Sequence, residues 1–292
     1  MKHLTCIIGF LLCLLFTQTA CKFLTEMGGG YTKEEGTVYW SHGLGGSSHL
    51  VVKDADYKSF KGLNMNYGKD KAHVFYRTDI LEGADLKTFE IFNDVSYAKD
   101  KSVVYYDGEV IPGADVATYH LFPVVGVDNT HYNTYGMDKD HVFQFREIIS
   151  DDPEHFKVIN PNEHIWKDGM AVHWAGTVID SADAPTFEAI LFKEQSEEFR
   201  RYSSYYKDKD HVFVKVKDKG VIVEIIHLPK ADVASFRLIS ENFSQDEYAA
   251  DETHVYYENK LVEGADPATF VLMTDGTAKD KNKIYKYGKP AE

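Results

Sequence analysis

The apolar pattern along most of this chain is one short phrase repeated. A β-branched residue followed by an aromatic one recurs at Val74-Phe75, Val104-Tyr105, Val142-Phe143, Val212-Phe213 and Val255-Tyr256, and both residue types favour strands. Neighbouring strand positions face opposite sides, so bulky apolar groups at both predict short strands covered on two faces. Four residues before each β-branched position stands an acid: Asp70, Asp100, Asp138, Asp168, Asp208, Asp251 and Asp280, with Glu34 in the first unit. An Asp in that place favours a tight turn, because its carboxylate accepts nearby backbone N–H groups. After the strand comes a hairpin signal, Asp107-Gly108 or Ala175-Gly176, with Glu258-Asn259 close to the same register. Glycine tolerates the positive φ that a two-residue hairpin turn demands.

A third feature closes each repeat, G-A-D-x-x-T-F and its variants. Asp56, Asp85, Asp115, Asp152, Asp183, Asp232 and Asp266 are each expected to cap a single helical turn, with Pro153 and Pro267 directly after the cap. Four residues on comes a ring: Phe60, Phe89, Tyr119, Phe156, Phe187, Phe236 or Phe270. One ring per repeat at fixed register predicts a core anchor. The clearest copies begin at Tyr67, Tyr97 and Tyr248, looser ones at Tyr135, Ile165 and Tyr205, and a degenerate one near Tyr31, with a truncated copy closing the chain. Tandem copies of this length imply an all-β repeat domain, stacked as a curved β-solenoid or closed as a propeller-like body.

Asp100-Lys101-Ser102-Val103-Val104-Tyr105-Tyr106 and Asp280-Lys281-Asn282-Lys283-Ile284-Tyr285 carry a resemblance to the DKNYY family of bacterial repeat proteins. The motif is made of turn and core residues, so the resemblance implies an architecture and brings no catalytic residues. Several units depart from the Tyr-Tyr pair, with Gln144, Val214 and Lys286 in the second place.

The N-terminus reads differently. Lys2 and His3 precede an apolar run from Leu4 to Phe16, then Thr17-Gln18-Thr19-Ala20 leads to Cys21. The run is too short to span a bilayer but suits an export signal. Cys6 and Cys13 fall inside it, leaving Cys21 as the one cysteine after cleavage. That position is similar to the lipid-accepting cysteine of a bacterial lipoprotein, although Gln18 stands where Leu is usual. The expected division is therefore a signal peptide over 1–20, lipidated Cys21 with a flexible tether over 21–36, and the repeat domain over 37–292. The expected location is the bacterial cell envelope, lipid-anchored to a membrane and facing the periplasm or the exterior.

The whole chain has a net charge of −14. With residues 1–20 removed only Lys2 is lost, which leaves a strongly acidic surface that repels nucleic acid. His73, His141, His211 and His254 share one register, three residues after a turn Asp. Their recurrence in separate repeats reads as structural, and no H-E-x-x-H or cysteine cluster points to a metal. No cofactor and no catalytic residue is expected. Gly45-Gly46-Ser47-Ser48-His49 lacks the spacing of a hydrolase elbow. Trp40 and Trp174 take core positions, whereas Trp166 falls where other units carry Gly68, Ala98 or Gly136, and its ring reads as extra core or, in the alternative, as an exposed candidate for a sugar.

Irregularities are where a ligand is sought. Insertions lengthen hairpins around Gly43–His49 and Lys215–Gly220, and connections are stretched at 120–134, 188–204 and 237–247. Asp128, Asn129, His131 and Tyr132, with Trp166, form the candidate binding surface. The leading expectation is a non-catalytic, envelope-anchored lipoprotein that binds or scaffolds an unknown protein or glycan. The alternative is a glycan-active hydrolase or glycan-binding module on a propeller-like fold.

The anchor is testable directly. Cys21→Ser should move the protein from the membrane fraction to the soluble one. Equal detergent partitioning of variant and parent would sink the lipid anchor.

Overall fold

The computed structural model describes residues 29–42, 49–92, 96–122, 135–161, 163–191, 203–219, 221–239 and 248–291. The chain divides into two compact units, Met1–Leu121 with Phe145–Glu147, and Phe122–Gln144 with Ile148–Glu292. The described residues form eight small antiparallel sheets and no helix. The first sheet has three strands and each of the others four, and none closes on itself.

The second sheet shows the plan. Its strands are Lys61–Gly62, Tyr67–Lys69, Val74–Tyr76 and Asp79–Ile80. Gly68, Phe75 and Ile80 pair in one cross-strand row, and Tyr67, Tyr76 and Asp79 in the next. Directly paired residues share a face, so the first row looks back along the chain and the second forward. Tyr67 and Phe75, one from each row, are both fully buried, as expected for strands covered on two sides. The first strand of each four-stranded sheet follows directly from the ring of the preceding repeat, as Lys61 follows Phe60. The repeat in sequence is therefore offset from the sheet in space, and each four-stranded sheet borrows a strand from the repeat before it.

The rings pin this arrangement. Phe60 lies 5.0 Å from Tyr31 of the first sheet and 5.5 Å from Phe75 of the second. Phe89 repeats the contact between Tyr67 and Tyr105, and Phe270 between Tyr248 and Tyr285. Centroid spacings near 5.5 Å in tilted pairs are favourable beyond the area they bury. The residue before the borrowed strand is thus a core anchor, as read from its register.

The expected helical turn is corrected. Phe60 N–H bonds to Asp56 O at 2.9 Å and Ser59 N–H to the same oxygen at 3.2 Å, and the same closure recurs at Asp85, Asp115 and Asp183. Each is a turn that ends where it starts, because the next residue must extend into a strand. One such closure without propagation is not a helix.

The hairpins follow the glycines. Asp107-Gly108, Ala175-Gly176 and Tyr287-Gly288 all have positive φ at both positions, the requirement of a type I′ turn. A Cβ on Gly108 would lie 2.5 Å from the Tyr76 ring, and one on Gly288 2.7 Å from Tyr257. Those two turns need glycine for close approach as well as for φ.

The tether boundary also moves. Gly29–Glu34 is a strand paired along its whole length with Thr37–His42, so the folded body begins inside the segment expected to be flexible. Tyr31, packed on Phe60, draws that strand into the core. The insertion near Lys215 is a long hairpin, Val212–Asp218 with Val221–His227, bulged beside Val216 and Lys217.

Phe89, Phe187 and Phe270 are 5 %, 1 % and 6 % exposed. Replacing each with Ala should destabilise the fold by about 3–5 kcal/mol in urea unfolding. Near-zero effects at two of the three would mean that the rings do not hold the sheets together.

Candidate functional site

The repeated acids are the one constellation of chemical groups that every unit shares, and the structure places them at the joints. In the third unit, Asp100 Oδ1 accepts the N–H groups of Ser102 at 2.7 Å and Val103 at 3.0 Å, closing its own turn. Its Oδ2 accepts the Asp85 N–H from the preceding repeat at 2.9 Å and the Tyr105 hydroxyl at 3.0 Å. Asp70, Asp208, Asp251 and Asp280 repeat this division, taking the N–H of Asp56, Asp183, Asp232 and Asp266. In the Asp168 unit a hydroxyl relays the link: Asp152 N–H donates to Ser150 Oγ, which donates to Asp168 Oδ2 at 2.8 Å. These turn carboxylates are buried, apart from the half-buried Asp168.

A second link runs beside the first. Asp85 accepts the Thr88 N–H and hydroxyl and pairs with Lys101 at 2.7 Å, while Lys101 N–H donates to Thr88 Oγ1. Lys71, Lys209 and Lys281 make the same pair with Asp56, Asp183 and Asp266. The Asp-Lys of the motif therefore joins one repeat to the one before it. Two units depart. Gly169 offers only its N–H to Asp152, and Glu252 stands at the lysine position opposite Asp232 with its N–H on Ser235 Oγ.

The electrostatics follow from the donors. Burial acts to raise Asp251 and Asp280, but backbone N–H groups outweigh it and hold both down at about 2. Asp70 and Asp100 are lowered the same way. The Tyr285 hydroxyl is pushed up to about 12 by burial, then by its bond to Asp280. Carboxylates saturated with donors and held far below neutral pH are poor general bases. The arrangement connects repeats.

His73, His141, His211 and His254 each sit over their own turn Asp, Nδ1 lying 3.6–3.9 Å from Oδ1. Each ring also meets the aromatic of its own strand, near 6 Å. Among the described residues no three His, Cys, Asp or Glu side chains are grouped to hold a metal ion.

Trp166 is a core ring. It is 4 % exposed, stacked on His173 at 3.8 Å and packed against Phe156, and burial lowers the His173 pKa. The sugar-platform role would need an open ring face, and this ring has none to spare. Trp40 is buried too, its Nε1 donating to Met65 O at 2.8 Å, and Trp174 is half-buried against the core. Cys21, Asp128, Asn129, His131 and Tyr132 lie outside the described residues, as do Ser47 and Ser48.

Sequence reasoning missed a buried polar cluster in the second unit. Lys215, 6 % exposed, pairs with Glu163 at 3.3 Å. Nearby, Asn160 Nδ2 donates to the Tyr206 hydroxyl, which donates to Ser203 O. The run Val212–Asp218 reads as alternating apolar and charged positions, which disguises Lys215 as a solvent-facing residue. A shallow open groove of about 720 Å³ lies between Thr186–Glu188, Lys207–Asp210 and Ala231–Ala234 in the same unit. Its walls are the inter-repeat acids and lysines already described.

The DKNYY family model matches residues 13–109, 81–217 and 152–289. No curated protein and no solved structure matches the chain.

Asp251→Asn replaces an acceptor-only group with one that presents N–H to N–H. It should cost about 1–3 kcal/mol at pH 7, the usual penalty for stranding buried donors. The parent carboxylate is depressed when folded, so its contribution is present above about pH 4 and is lost as pH falls toward 2. The gap between variant and parent in urea unfolding should therefore shrink between pH 5 and pH 2. A constant gap would show that charge on this group does not matter.

Proposed function

The chain belongs to the DKNYY family, whose model covers nearly all of it, and we propose that it is a non-catalytic module that binds or scaffolds a partner at a bacterial envelope membrane. The observation that carries this reading is the fate of the motif. Its Asp, Lys and Tyr groups are spent on joints between neighbouring sheets, as at Asp100, Lys101 and Tyr105. What repeats is scaffolding, so a partner would be recognised by what differs between units, the usual division of labour in repeat proteins.

Attachment through a lipid on Cys21, exposure to the periplasm or exterior, and a protein or glycan ligand belong to the same proposal. So does the arrangement of the repeats, as a curved β-solenoid or a propeller-like body, two forms that the distance between labelled ends in solution separates.

The Cys21→Ser protein should release no product from cell-wall or plant glycans. Its own ligand, found by thermal-shift screening of proteins and glycans, should stabilise it by about 2.7 kcal/mol at a hundredfold excess over Kd. Reproducible product release would sink the non-catalytic reading.

A further inference from the structure

In five of the sheets the second residue of the third strand faces an apolar neighbour on the fourth. Phe75 faces Ile80, Tyr105 faces Val110, His173 faces Val178, Tyr256 faces Leu261 and Tyr285 faces Pro290. In the sixth sheet, whose third and fourth strands form the long hairpin Val212–Asp218 with Val221–His227, Phe213 faces His227 instead. The bulge decides this. At the tip Asp218 pairs with Val221 and Lys217 with Ile222, but Val216 pairs with Glu224, so Val223 is an extra residue. Had the tip register continued, Ile226 would stand opposite Phe213, an aliphatic residue as in the other sheets. One inserted residue moves every later side chain to the other face, and bulges recur next to functional sites, where they re-aim a side chain.

The side chain that the bulge delivers meets a prepared partner. His211 lies two residues before Phe213, on the same face by strand alternation, and its ring stands 5.5 Å from that of His227 at 56°. His211 Nδ1 is buried, makes no hydrogen bond, and lies 3.6 Å from Oδ1 of buried Asp208. A lone pair on Nδ1 would face the carboxylate, so the neutral ring keeps its proton there and its lone pair on Nε2. A carboxylate behind one ring nitrogen, with the other nitrogen free, is the arrangement that orients metal-ligating histidines. Two imidazoles on one tetrahedral ion, each bound at about 2.0–2.1 Å, hold their ring centroids about 5 Å apart. His227 is exposed, and rotation of its side chain closes the small difference.

We propose that His211 and His227 bind a divalent late transition-metal ion through two imidazole nitrogens, with water in the remaining positions. Imidazole suits copper, nickel and zinc, and copper(II) binds tightest in that series. Two protein ligands make a site open to exchange, unlike the closed four-ligand structural zinc site. Local charge favours a cation. Lys207 and Lys209 are already paired with Glu188 and Asp183, whereas Asp208 and the exposed Asp210 stand beside His211 in the chain. The site goes beyond the binding or scaffolding role above and does not depend on it. It also separates His211 from the other histidines of its register. Near His73 and His254 the place of His227 is taken by Ile80 and Leu261, and His141 meets the exposed carboxylate of Asp151 at 3.8 Å.

The test titrates Cu²⁺ alone into the Cys21→Ser protein, its remaining thiols alkylated, and reads binding by calorimetry and electron paramagnetic resonance. Saturation at one tight Cu²⁺ per chain is expected, with the hyperfine signature of two imidazole nitrogens. His227→Val and His211→Ala install the residues that Val178 and Ala171 supply at these places in the preceding sheet, so the metal-free melting temperature should stay near the parent's. Each should weaken binding at least about tenfold, since even an outer partner of a ligand is worth that much, and leave at most one coordinating nitrogen in the spectrum. His254→Val should bind as the parent does. Without any variant, substoichiometric Cu²⁺ should broaden the ring NMR signals of His211 and His227 before those of His73 and His254. No saturable binding overturns the site. So does parent-like affinity in either variant, or broadening that begins at other histidines.

Discussion

A single carboxylate that serves two places holds this protein together. At Asp70, Asp100, Asp208, Asp251 and Asp280 one oxygen organises the turn in its own sheet and the other receives an N–H from the repeat before it, and at Asp168 the Ser150 hydroxyl relays that link. Neither job can be done without fixing the other, so local folding and inter-repeat registry are set by the same side chain. The sheets need such a device. Strands of two or three residues are far below what an isolated hairpin requires for stability. Each sheet becomes stable only when its neighbour's ring covers one face and its neighbour's strand completes one edge.

That dependence makes the energetics those of nearest neighbours. Phe60 is shared by two sheets, Asp100 by two repeats, and the Tyr67 hydroxyl reaches forward to Ser96 O and the Gly108 N–H. Loss of one joint exposes both of its sides. The exposed ion pairs, such as Lys101 with Asp85, add little by comparison, because both partners stay in contact with water. Glu252 and Gly169 show that a joint forms without the lysine.

Much of this was legible in the chain because each structural demand fell on a residue type with few alternatives. Asp107-Gly108 declared its hairpin, and the ring four residues after each capping Asp declared the core. What stayed hidden involved partners distant in sequence. The second oxygen of Asp100 reaches a backbone N–H fifteen residues back, and no local pattern marks a backbone donor. The capping segment carries helix-start chemistry, so a helical turn was the natural reading, yet the borrowed strand that follows halts it after one closure. Nothing in the alternation around Lys215 marks it as buried, and its pairing with Glu163 depends on a segment distant in sequence. Trp166 left two readings open because its column holds small residues elsewhere, and the stacking of His173 within the sheet decides for the core.

The acidity of the chain takes a different meaning in this light. A net charge of −14 suggests a surface shaped by its partners, but the recurring acids are placed by the joints. A joint needs one side chain with two acceptors, both meeting N–H donors, and no hydrogen of its own to clash with them. Asn offers one acceptor and a donor, and Ser offers a short hydroxyl that must pass the bond along, as Ser150 does. Asp alone among short side chains meets both demands. Two acids per repeat, one at the turn and one at the cap, make the chain acidic as a consequence of being a repeat. Charge that departs from this pattern is then the informative part: Glu34 and Glu35 on the first sheet stand where the joint chemistry calls for Asp and Lys. Those positions are released from the internal constraint.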